Sequence, residues 1–262
     1  MHKNLIGSLI GREKVAIEAA MRAGEILIND FDKVHKVRTK SDNSLVTDID
    51  LKVEGEITRL IKKNFPEDDI LSEETSYSGK GSSYRWIVDP LDGTHNYIRR
   101  IPLFGTSIAI EFKENVVLGV IYMPFSNELY LGCKGKGSYL NSKRIRVSKR
   151  NIREATMIYD SNIIREKKVR LLSFSKVGHK VFNLRMFGST VRSLSYVAEG
   201  KVDLEIEYTD KIWDFAAGAI LVEEAGGKFT DYKGNKWNAN TKEYIASNGL
   251  IHKDILNLGG AK

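Results

Sequence analysis

The sequence predicts a mixed α/β fold, and three observations support this prediction. Apolar residues recur at helical spacing over residues 4–31 and again in the stretch before Pro66. Short runs typical of β-strands, separated by turn residues, follow over residues 104–140. Helical and strand-like segments then alternate in the second half of the chain. With 262 residues, of which 42% are hydrophobic, the chain can form one large domain or two closely packed halves.

The first predicted element is a long amphipathic helix over residues 4–31. Gly11 is its one candidate break, since glycine weakens a helix interior. The polar and charged residues 31–44 that follow have the turn-forming composition of an exposed loop. We therefore expect a loop here that is free to move.

A second amphipathic helix is predicted between Thr47 and Pro66. Thr47 and Asp48 are residue types that cap helix N-termini, and the apolar stripe stops before the proline. Asp50 falls in the first turn, where the helix dipole favours an acid. Taken alone, Asp50 is therefore explained as an exposed first-turn acid.

Two short buried strands, around residues 70–71 and 85–88, are each followed by acids. Sheet edges would thus deliver several carboxylates to one place. Such groups repel one another unless a cation lies among them, and oxygen ligands select a hard ion such as Mg²⁺. The sequence therefore predicts a magnesium site. The acids concerned are Glu73, Glu74, Asp89 and Asp92.

Three strand-like runs then indicate an antiparallel meander. They cover residues 106–112, 116–122 and 128–132. A basic stretch at residues 143–153 marks the predicted join between an N-terminal half, approximately residues 1–150, and a C-terminal half, residues 151–262. The two halves are expected to form a single catalytic unit.

Helices are predicted in the C-terminal half over residues 190–199 and 214–225. Asp214 opens the second of them among small and apolar residues. An acid at this position is as readily a helix cap as a metal ligand, so its pattern alone leaves both interpretations open.

Composition narrows the class of protein. Cys133 is the only cysteine, which forbids an intramolecular disulfide and fits a reducing compartment. Because the sequence shows neither a membrane-length apolar run nor a secretory signal, we expect a cytoplasmic protein without a membrane partner. The net charge of +7 permits anionic partners, but no recognisable nucleic-acid module accompanies it, so no specific nucleic acid is expected.

Several motifs occur together along the chain. They are Leu45-Val46-Thr47 with Asp50, Glu73-Glu74, Trp86 to Thr94 with Asn96 and Tyr97, Lys134 to Gly137 with Leu140 and Asn141, and Trp213-Asp214 with Ala217-Gly218 and Glu224 to Gly227. In order and approximate spacing this set resembles the inositol monophosphatases over nearly the whole chain. The resemblance implies the layered α/β/α/β/α sandwich of the sugar phosphatases, a homodimer and sensitivity to lithium.

The resemblance also implies a ligand set for two or three Mg²⁺ ions. Glu73, Asp89 and the backbone carbonyl of Leu91 would hold one ion. Asp89 would bridge to a second ion, bound also by Asp92 and Asp214, and Glu73 would help to hold a weaker third. Bound in this way, magnesium activates water and neutralises phosphate charge.

Two further residues receive catalytic roles by the same resemblance, and Glu74 is assigned one from its position beside Glu73. Thr94 would orient the attacking water and Asp50 would accept its proton. Glu74 would tune the site or bridge through water, with a solvated role as its alternative. Lys40 resembles a loop lysine near the site, although the loop is about one residue shorter than in the animal enzymes of the family.

The predicted substrate contacts come from both halves. Backbone N–H groups of Gly93 and Thr94 would meet the phosphate. Arg192 is interpreted as a solvated surface residue, with a contact to a second phosphate as the alternative. The remaining predicted contacts, which would meet ring hydroxyls, are Gly188, Ser189, Thr190 and Glu207.

The predicted function is that of a magnesium-dependent phosphomonoesterase acting on inositol 1-phosphate or a related sugar phosphate. The principal alternative is a dual enzyme that also hydrolyses fructose 1,6-bisphosphate. Two further alternatives are a 3′-phosphoadenosine 5′-phosphate phosphatase and a non-catalytic protein that binds phosphate or nucleic acid.

Overall fold

The computed structural model describes residues 2–33, 35–40, 45–159 and 167–258. Its helices are α1 (His2–Asp30), α2 (Asp48–Asn64), α3 (Thr94–Ile98), α4 (Lys167–Gly178), α5 (Thr190–Ala198), α6 (Ile212–Glu224) and α7 (His252–Asn257). Its first strands are β1 (Val37–Thr39), β2 (Leu45–Thr47), β3 (Asp69–Ser72), β4 (Ser76–Ser78), β5 (Tyr84–Asp92), β6 (Gly105–Phe112), β7 (Asn115–Met123) and β8 (Glu128–Cys133). The others are β9 (Gly137–Leu140), β10 (Lys143–Ile145), β11 (Thr156–Tyr159), β12 (Asn183–Arg185), β13 (Leu204–Glu207), β14 (Lys228–Asp231) and β15 (Tyr244–Ser247).

The two N-terminal helices form where the apolar periodicity predicts them. The expected break at Gly11 is wrong, since α1 continues through it. Gly11 faces the ring of Phe65, and a Cβ there would lie 3.4 Å from that ring, so the glycine serves packing rather than helix termination. Residues 41–44 of the predicted loop lie outside the described residues, and β1 and β2 pair antiparallel on either side of them.

The large sheet has the strand order β10-β9-β8-β7-β6-β5-β3-β4. Strands β6 to β9 pair antiparallel with their neighbours along the chain, which confirms the predicted meander. Strands β3 and β5 run parallel, so their carboxyl ends lie at the same edge. Strand β5 is longer than predicted and includes the acids that were expected to follow it. Its pairing with β6 is irregular between Asp89 and Asp92, where Pro90 has no N–H to donate.

The small sheet has the order β12-β11-β13-β15-β14, with β11 parallel to both of its neighbours. Helices α5 and α6 agree with their predicted ranges to within about two residues, the usual uncertainty of a helix end. Helix α4 was not predicted, because its apolar side chains do not share one buried face. Leu171 and Leu172 are 45% and 49% exposed.

In the part of the chain that the structure describes, three buried clusters lie between five layers. One cluster lies between the pair α1 and α2 and one face of the large sheet. The second lies around α5 and α6, between the large and the small sheets. The third lies between the small sheet and the helices α4 and α7. This arrangement confirms the predicted α/β/α/β/α sandwich. Among the described residues, no helix combines the length and the apolar character that crossing a membrane requires.

Candidate active site

Three acids from separate elements meet at one edge of the large sheet. Glu73 follows β3, Asp89 lies near the end of the parallel strand β5, and Asp214 lies in the first turn of α6. Carboxylate oxygens of these three residues all lie within 4.8 Å of one another. Asp214 also accepts a hydrogen bond from the backbone N–H of Lys211 at 2.6 Å. It therefore both caps α6 and belongs to the cluster of acids.

Two acids of this cluster, Asp89 and Asp214, hold their protons more tightly than the same groups in water. Burial, and then the charges of Glu73 and Asp92, hold the pKa of Asp89 well above its usual range. Burial and the charge of Asp210 do the same to the pKa of Asp214. Negative charge is therefore costly here, and a bound cation would remove that cost.

Asp92 connects this cluster to the C-terminal half. Its carboxylate accepts hydrogen bonds from Ser189 Oγ and, at 3.0 Å, from Thr190 N at the start of α5. Burial raises the pKa of Asp92 to about 7, although these hydrogen bonds oppose the shift. Ser189 and Thr190 thus lie beside a proposed ligand, and Ser189 Oγ also accepts from Arg192 N as the cap of α5.

Lys40, which follows β1, contacts two acids of the site, Glu73 and Glu74. Its Nζ donates to Glu73 Oε1 at 2.8 Å and to Glu74 Oε1 at 2.6 Å. Burial acts to lower the pKa of Lys40, but the two carboxylates outweigh it and raise that pKa above its usual value. Burial raises the pKa of Glu74 to about 7, against the opposing hydrogen bond from Lys40. The lysine is thus the cation that faces Glu73 in this structure.

Asp50 and Thr94 lie next to each other, and Thr94 also contacts the backbone of the candidate ligand Leu91. One oxygen of Asp50, Oδ2, accepts hydrogen bonds from the N–H and the hydroxyl of Thr47, the former at 2.8 Å. The other oxygen lies 3.3 Å from Thr94 Oγ1, which also lies 3.1 Å from the carbonyl oxygen of Leu91. Asp50 is 1% exposed, so the interpretation as an exposed first-turn acid is wrong. Burial raises its pKa to about 6.

The glycines predicted for substrate binding flank a buried amide. Gly93 has a φ of +83° and begins α3, and Gly188 has a φ of +64°. Between them, Asn96 Nδ2 donates to Phe187 O at 2.7 Å and to Gly188 O at 3.2 Å. The same nitrogen lies 2.8 Å from Leu103 O. The fold therefore brings the predicted phosphate segment and the predicted hydroxyl segment together.

The remaining predicted acid, Glu207, lies at the end of β13 and accepts a hydrogen bond from Tyr208 N at 3.0 Å. Burial and the charge of Asp210 raise its pKa well above the usual range. Asp210 was not predicted from the sequence; it accepts hydrogen bonds from Thr190 Oγ1 at 3.1 Å and from Tyr244 OH at 3.0 Å. Its one sequence signal is an acid just before the start of α6.

The interpretation of Arg192 as a solvated surface residue is wrong. The residue is 2% exposed, and its Nη1 donates to Glu128 Oε2 at 2.6 Å. Its Nη2 donates to Ser126 Oγ at 3.0 Å, and its guanidinium carbon lies 4.7 Å from the centre of the Tyr196 ring. Burial on a helix is tolerated because an acid from the neighbouring strand neutralises the charge.

The donor set fits a hard divalent cation. Glu73, Asp89 and Asp214 offer carboxylate oxygens only, which suits Mg²⁺ rather than a metal that prefers nitrogen or sulfur. Burial concentrates the negative charge, and the adjacent Asp92 adds to it. The assignment of individual ligands stays a prediction.

Comparison with known proteins agrees with the geometry. The sequence model of the inositol monophosphatase family matches residues 12–258. A fructose-1,6-bisphosphatase/inositol-1-monophosphatase of Aquifex aeolicus is 36% identical, with 93% of each chain covered. The Nus factor SuhB of Pasteurella multocida is 34% identical, again with 93% of each chain covered. Among solved structures, the IMPase of Thermotoga maritima is 32% identical with a TM-score of 0.87, over 94% of this chain and 96% of that one.

Proposed function

This chain belongs to the inositol monophosphatase family, and we propose that it is a magnesium-dependent phosphomonoesterase acting on inositol 1-phosphate or a related sugar phosphate. One observation carries the proposal: carboxylate oxygens of the buried Asp89 and of the partly buried Glu73 and Asp214 all lie within 4.8 Å of one another. Carboxylates held this close together repel one another. A bound cation removes that repulsion, and so explains why the fold keeps them together.

We assign the metal ligands as predicted from the sequence. Glu73, Asp89 and the carbonyl of Leu91 would hold one ion, Asp89, Asp92 and Asp214 a second, and Glu73 would contribute to a third. When bound, magnesium would supply neutralisation of phosphate charge, a lower pKa for a bound water, and stabilisation of the departing alkoxide. The hydrogen bonds that the two oxygens of Asp92 accept from the start of α5 support its place, because they hold its carboxylate beside Asp89.

Thr94 and Asp50 would handle the proton of the attacking water. Because Thr47 occupies Oδ2 of Asp50, Oδ1 is left to face the hydroxyl of Thr94. Thr94 Oγ1 can donate its proton to Asp50 and accept a hydrogen bond from the water at the same time. With a pKa of about 6, Asp50 is largely ionised near neutral pH yet basic enough to accept a proton.

The substrate would lie between the two segments that Asn96 holds together. Backbone N–H groups of Gly93 and Thr94 would meet the phosphate. The segment of Gly188, Ser189 and Thr190, with Glu207, would meet the hydroxyls of the substrate. The contacts of Ser189 and Thr190 with Asp92 place this segment directly beside a proposed metal ligand, which supports the assignment.

The test is phosphate release by the purified protein, with magnesium and with chelator. Inositol 1-phosphate, fructose 1,6-bisphosphate and 3′-phosphoadenosine 5′-phosphate are offered side by side. We expect magnesium-dependent release from inositol 1-phosphate. Lithium added to the same assay is expected to inhibit, and sedimentation of the same sample is expected to show a homodimer. Absence of phosphate release from all three substrates would contradict the proposal.

A dual activity is the second candidate, and the name of the Aquifex relative favours it. Comparable release from fructose 1,6-bisphosphate would establish this function. Arg192, the residue that the sequence offered for a second phosphate, does not support it. Its charge is already paired with Glu128.

A non-catalytic role has one observation in its favour, the name Nus factor SuhB of a relative that is 34% identical. The net charge of +7 is compatible with an anionic partner. Salt-sensitive binding of nucleic acid without magnesium-dependent phosphate release would make this the preferred function.

A further inference from the structure

The turn that carries Glu73 is hydrogen-bonded to a buried acid on α2, Glu54. Glu54 Oε2 accepts hydrogen bonds from Ser72 Oγ and, at 3.0 Å, from the backbone N–H of Glu74. The N–H of Glu73 itself donates to Val88 O of β5 at 3.2 Å. Three consecutive residues, the last of β3 and the first two of the turn, are therefore anchored, and Glu54 provides two of the three anchors.

Stability alone does not explain a glutamate at this position. Glu54 is 2% exposed, and its neighbours on the buried face of α2 are Val53 and Ile57, both fully buried. Its second oxygen, Oε1, is buried without a hydrogen-bond partner among the described residues. A buried acid with half of its acceptors unused costs folding free energy, and such costs are typical of groups retained for a site.

We infer that Glu54 is a positioning residue for the proposed metal site. By binding Ser72 and Glu74, on either side of Glu73, it holds the backbone from which the Glu73 carboxylate reaches Asp89 and Asp214. This inference rests on the proposed function, since it concerns how that site keeps its affinity for magnesium. Groups that hold metal ligands in place typically change metal affinity about 10–100-fold when removed.

The test compares two substitutions by a readout of binding that does not require turnover. Magnesium is titrated while the unfolding temperature is measured, because a ligand that binds the folded state raises it. Glu54→Ala leaves the Ser72 hydroxyl and the Glu74 N–H without their acceptor. We expect it to raise the magnesium concentration for half-maximal stabilisation about 10-fold or more. Glu54→Gln keeps a carbonyl oxygen that can accept both hydrogen bonds, and should remain within about threefold of wild type.

Activity gives the second readout. In Glu54→Ala, kcat should recover at high magnesium, and KM for the phosphate substrate should stay unchanged. Val53→Ala is the matched control, because Val53 lies next to Glu54 on α2 and is fully buried, and its apolar side chain cannot accept a hydrogen bond from the turn. It should lower the unfolding temperature without changing the magnesium requirement.

If Glu54→Ala does not fold, Ser72→Ala carries the test, since it removes one of the two hydrogen bonds and should weaken magnesium binding in the same direction. The inference is overturned, with the proposed function intact, if wild type binds magnesium and Glu54→Ala binds it equally well. It is also overturned if Glu54→Gln is impaired as strongly as Glu54→Ala. Wild type that neither binds magnesium nor releases phosphate would overturn the proposed function together with this inference.

Discussion

At the residue scale, Asp89 illustrates that the arrangement of the candidate site lowers the stability of the fold. It is 2% exposed and lies among other acids, and both burial and their charges hold its pKa well above the usual range. Its Oδ1 accepts a hydrogen bond from Leu91 N at 3.0 Å. The residue is therefore held by its own backbone segment while it repels its neighbours.

Replacing Asp89 by asparagine should separate activity from stability. Loss of a bridging ligand should lower kcat roughly a thousandfold, because metal contacts are worth several kcal/mol in the transition state. In chelator, Asp89→Asn should be at least as stable as wild type, since the amide does not repel Glu73. Phosphate release and urea unfolding measure the two effects.

Asp203→Asn is the control for this prediction. Asp203 is equally buried but binds Arg150 at 2.9 Å and Thr156 N at 2.7 Å, away from the acid cluster. Its substitution should cost stability, about 1–3 kcal/mol, and leave turnover nearly unchanged. The reverse pattern in the two variants would contradict the assignment of Asp89.

His252 provides a prediction on pH. It is 2% exposed, it contacts Ser247 Oγ at 2.8 Å and Thr230 Oγ1 at 2.9 Å, and burial lowers its pKa to about 4. As pH falls, the imidazole of the unfolded chain takes up a proton first, near pH 6.5. The contribution of neutral His252 to stability is therefore complete above that pH and is lost as pH falls toward 4.

We expect this loss to reach about 2 kcal/mol at pH 5. The quantity to measure is the difference in unfolding free energy between wild type and His252→Gln, from pH 7.5 to pH 5. The difference cancels the other titrating groups that the two proteins share. Parallel pH curves for the two proteins would contradict the prediction.

At the scale of elements, the position of α6 decides where Asp214 lies. The helix is buried along most of its length between the two sheets, and it crosses β7 at Gly119. A Cβ on Gly119 would lie 2.6 Å from Ala217 O and 2.8 Å from Ala217 Cα. The absence of a side chain on the strand thus allows the backbone of the helix to approach it.

Gly119→Ala should therefore push α6 away from the sheet. Overpacking of this kind costs about 1–3 kcal/mol, and the shift should also weaken magnesium binding because Asp214 moves with the helix. Unfolding in chelator measures the first effect and magnesium titration the second. Gly55→Ala is the control, because no atom of the described residues, apart from the adjoining backbone of α2 itself, lies within 4 Å of a Cβ at that position. It should stabilise the protein slightly. Equal behaviour of the two variants would contradict this account of α6.

At the scale of the whole molecule, the site lies where the two halves of the chain meet. Asp92 in the large sheet accepts hydrogen bonds from the start of α5, and Asn96 donates to the carbonyls of Phe187 and Gly188. The central buried cluster takes side chains from both sheets. Assembly of the site and packing of the halves are thus parts of one process.

Asn96→Ala should weaken this junction. Its amide serves carbonyl oxygens of both halves, so its removal should lower the free energy of unfolding by roughly 2 kcal/mol. Wild type should unfold in a single transition, with circular dichroism and tryptophan fluorescence coinciding. Asn64→Ala, which removes the hydrogen bond that the exposed Asn64 donates to Leu60 O at 2.9 Å, should change stability by less than about 0.5 kcal/mol. Equal changes in the free energy of unfolding for Asn96→Ala and Asn64→Ala would contradict the prediction.

The sequence by itself determined the fold class and indicated the acids that lie at strand ends, because those features are local. Helical periodicity located α2 and α5, and alternating runs located the meander. Glu73 and Asp89 could be paired in advance, since each lies close to the end of a short buried strand. Asp214 was recognised through its motif, although its spacing alone left a helix cap as an equal interpretation.

Only the tertiary structure decided the partners of buried charges. Arg192 is neutralised by Glu128, 64 residues away, and Glu54 binds Ser72 and Glu74 across the gap between a helix and a turn. Lys40 reaches Glu73 over 33 residues. Periodicity reports which face of an element is buried, but not which charged group another element places against that face. The free energy of a buried charge depends on that partner, so these roles emerged only when the chain was folded.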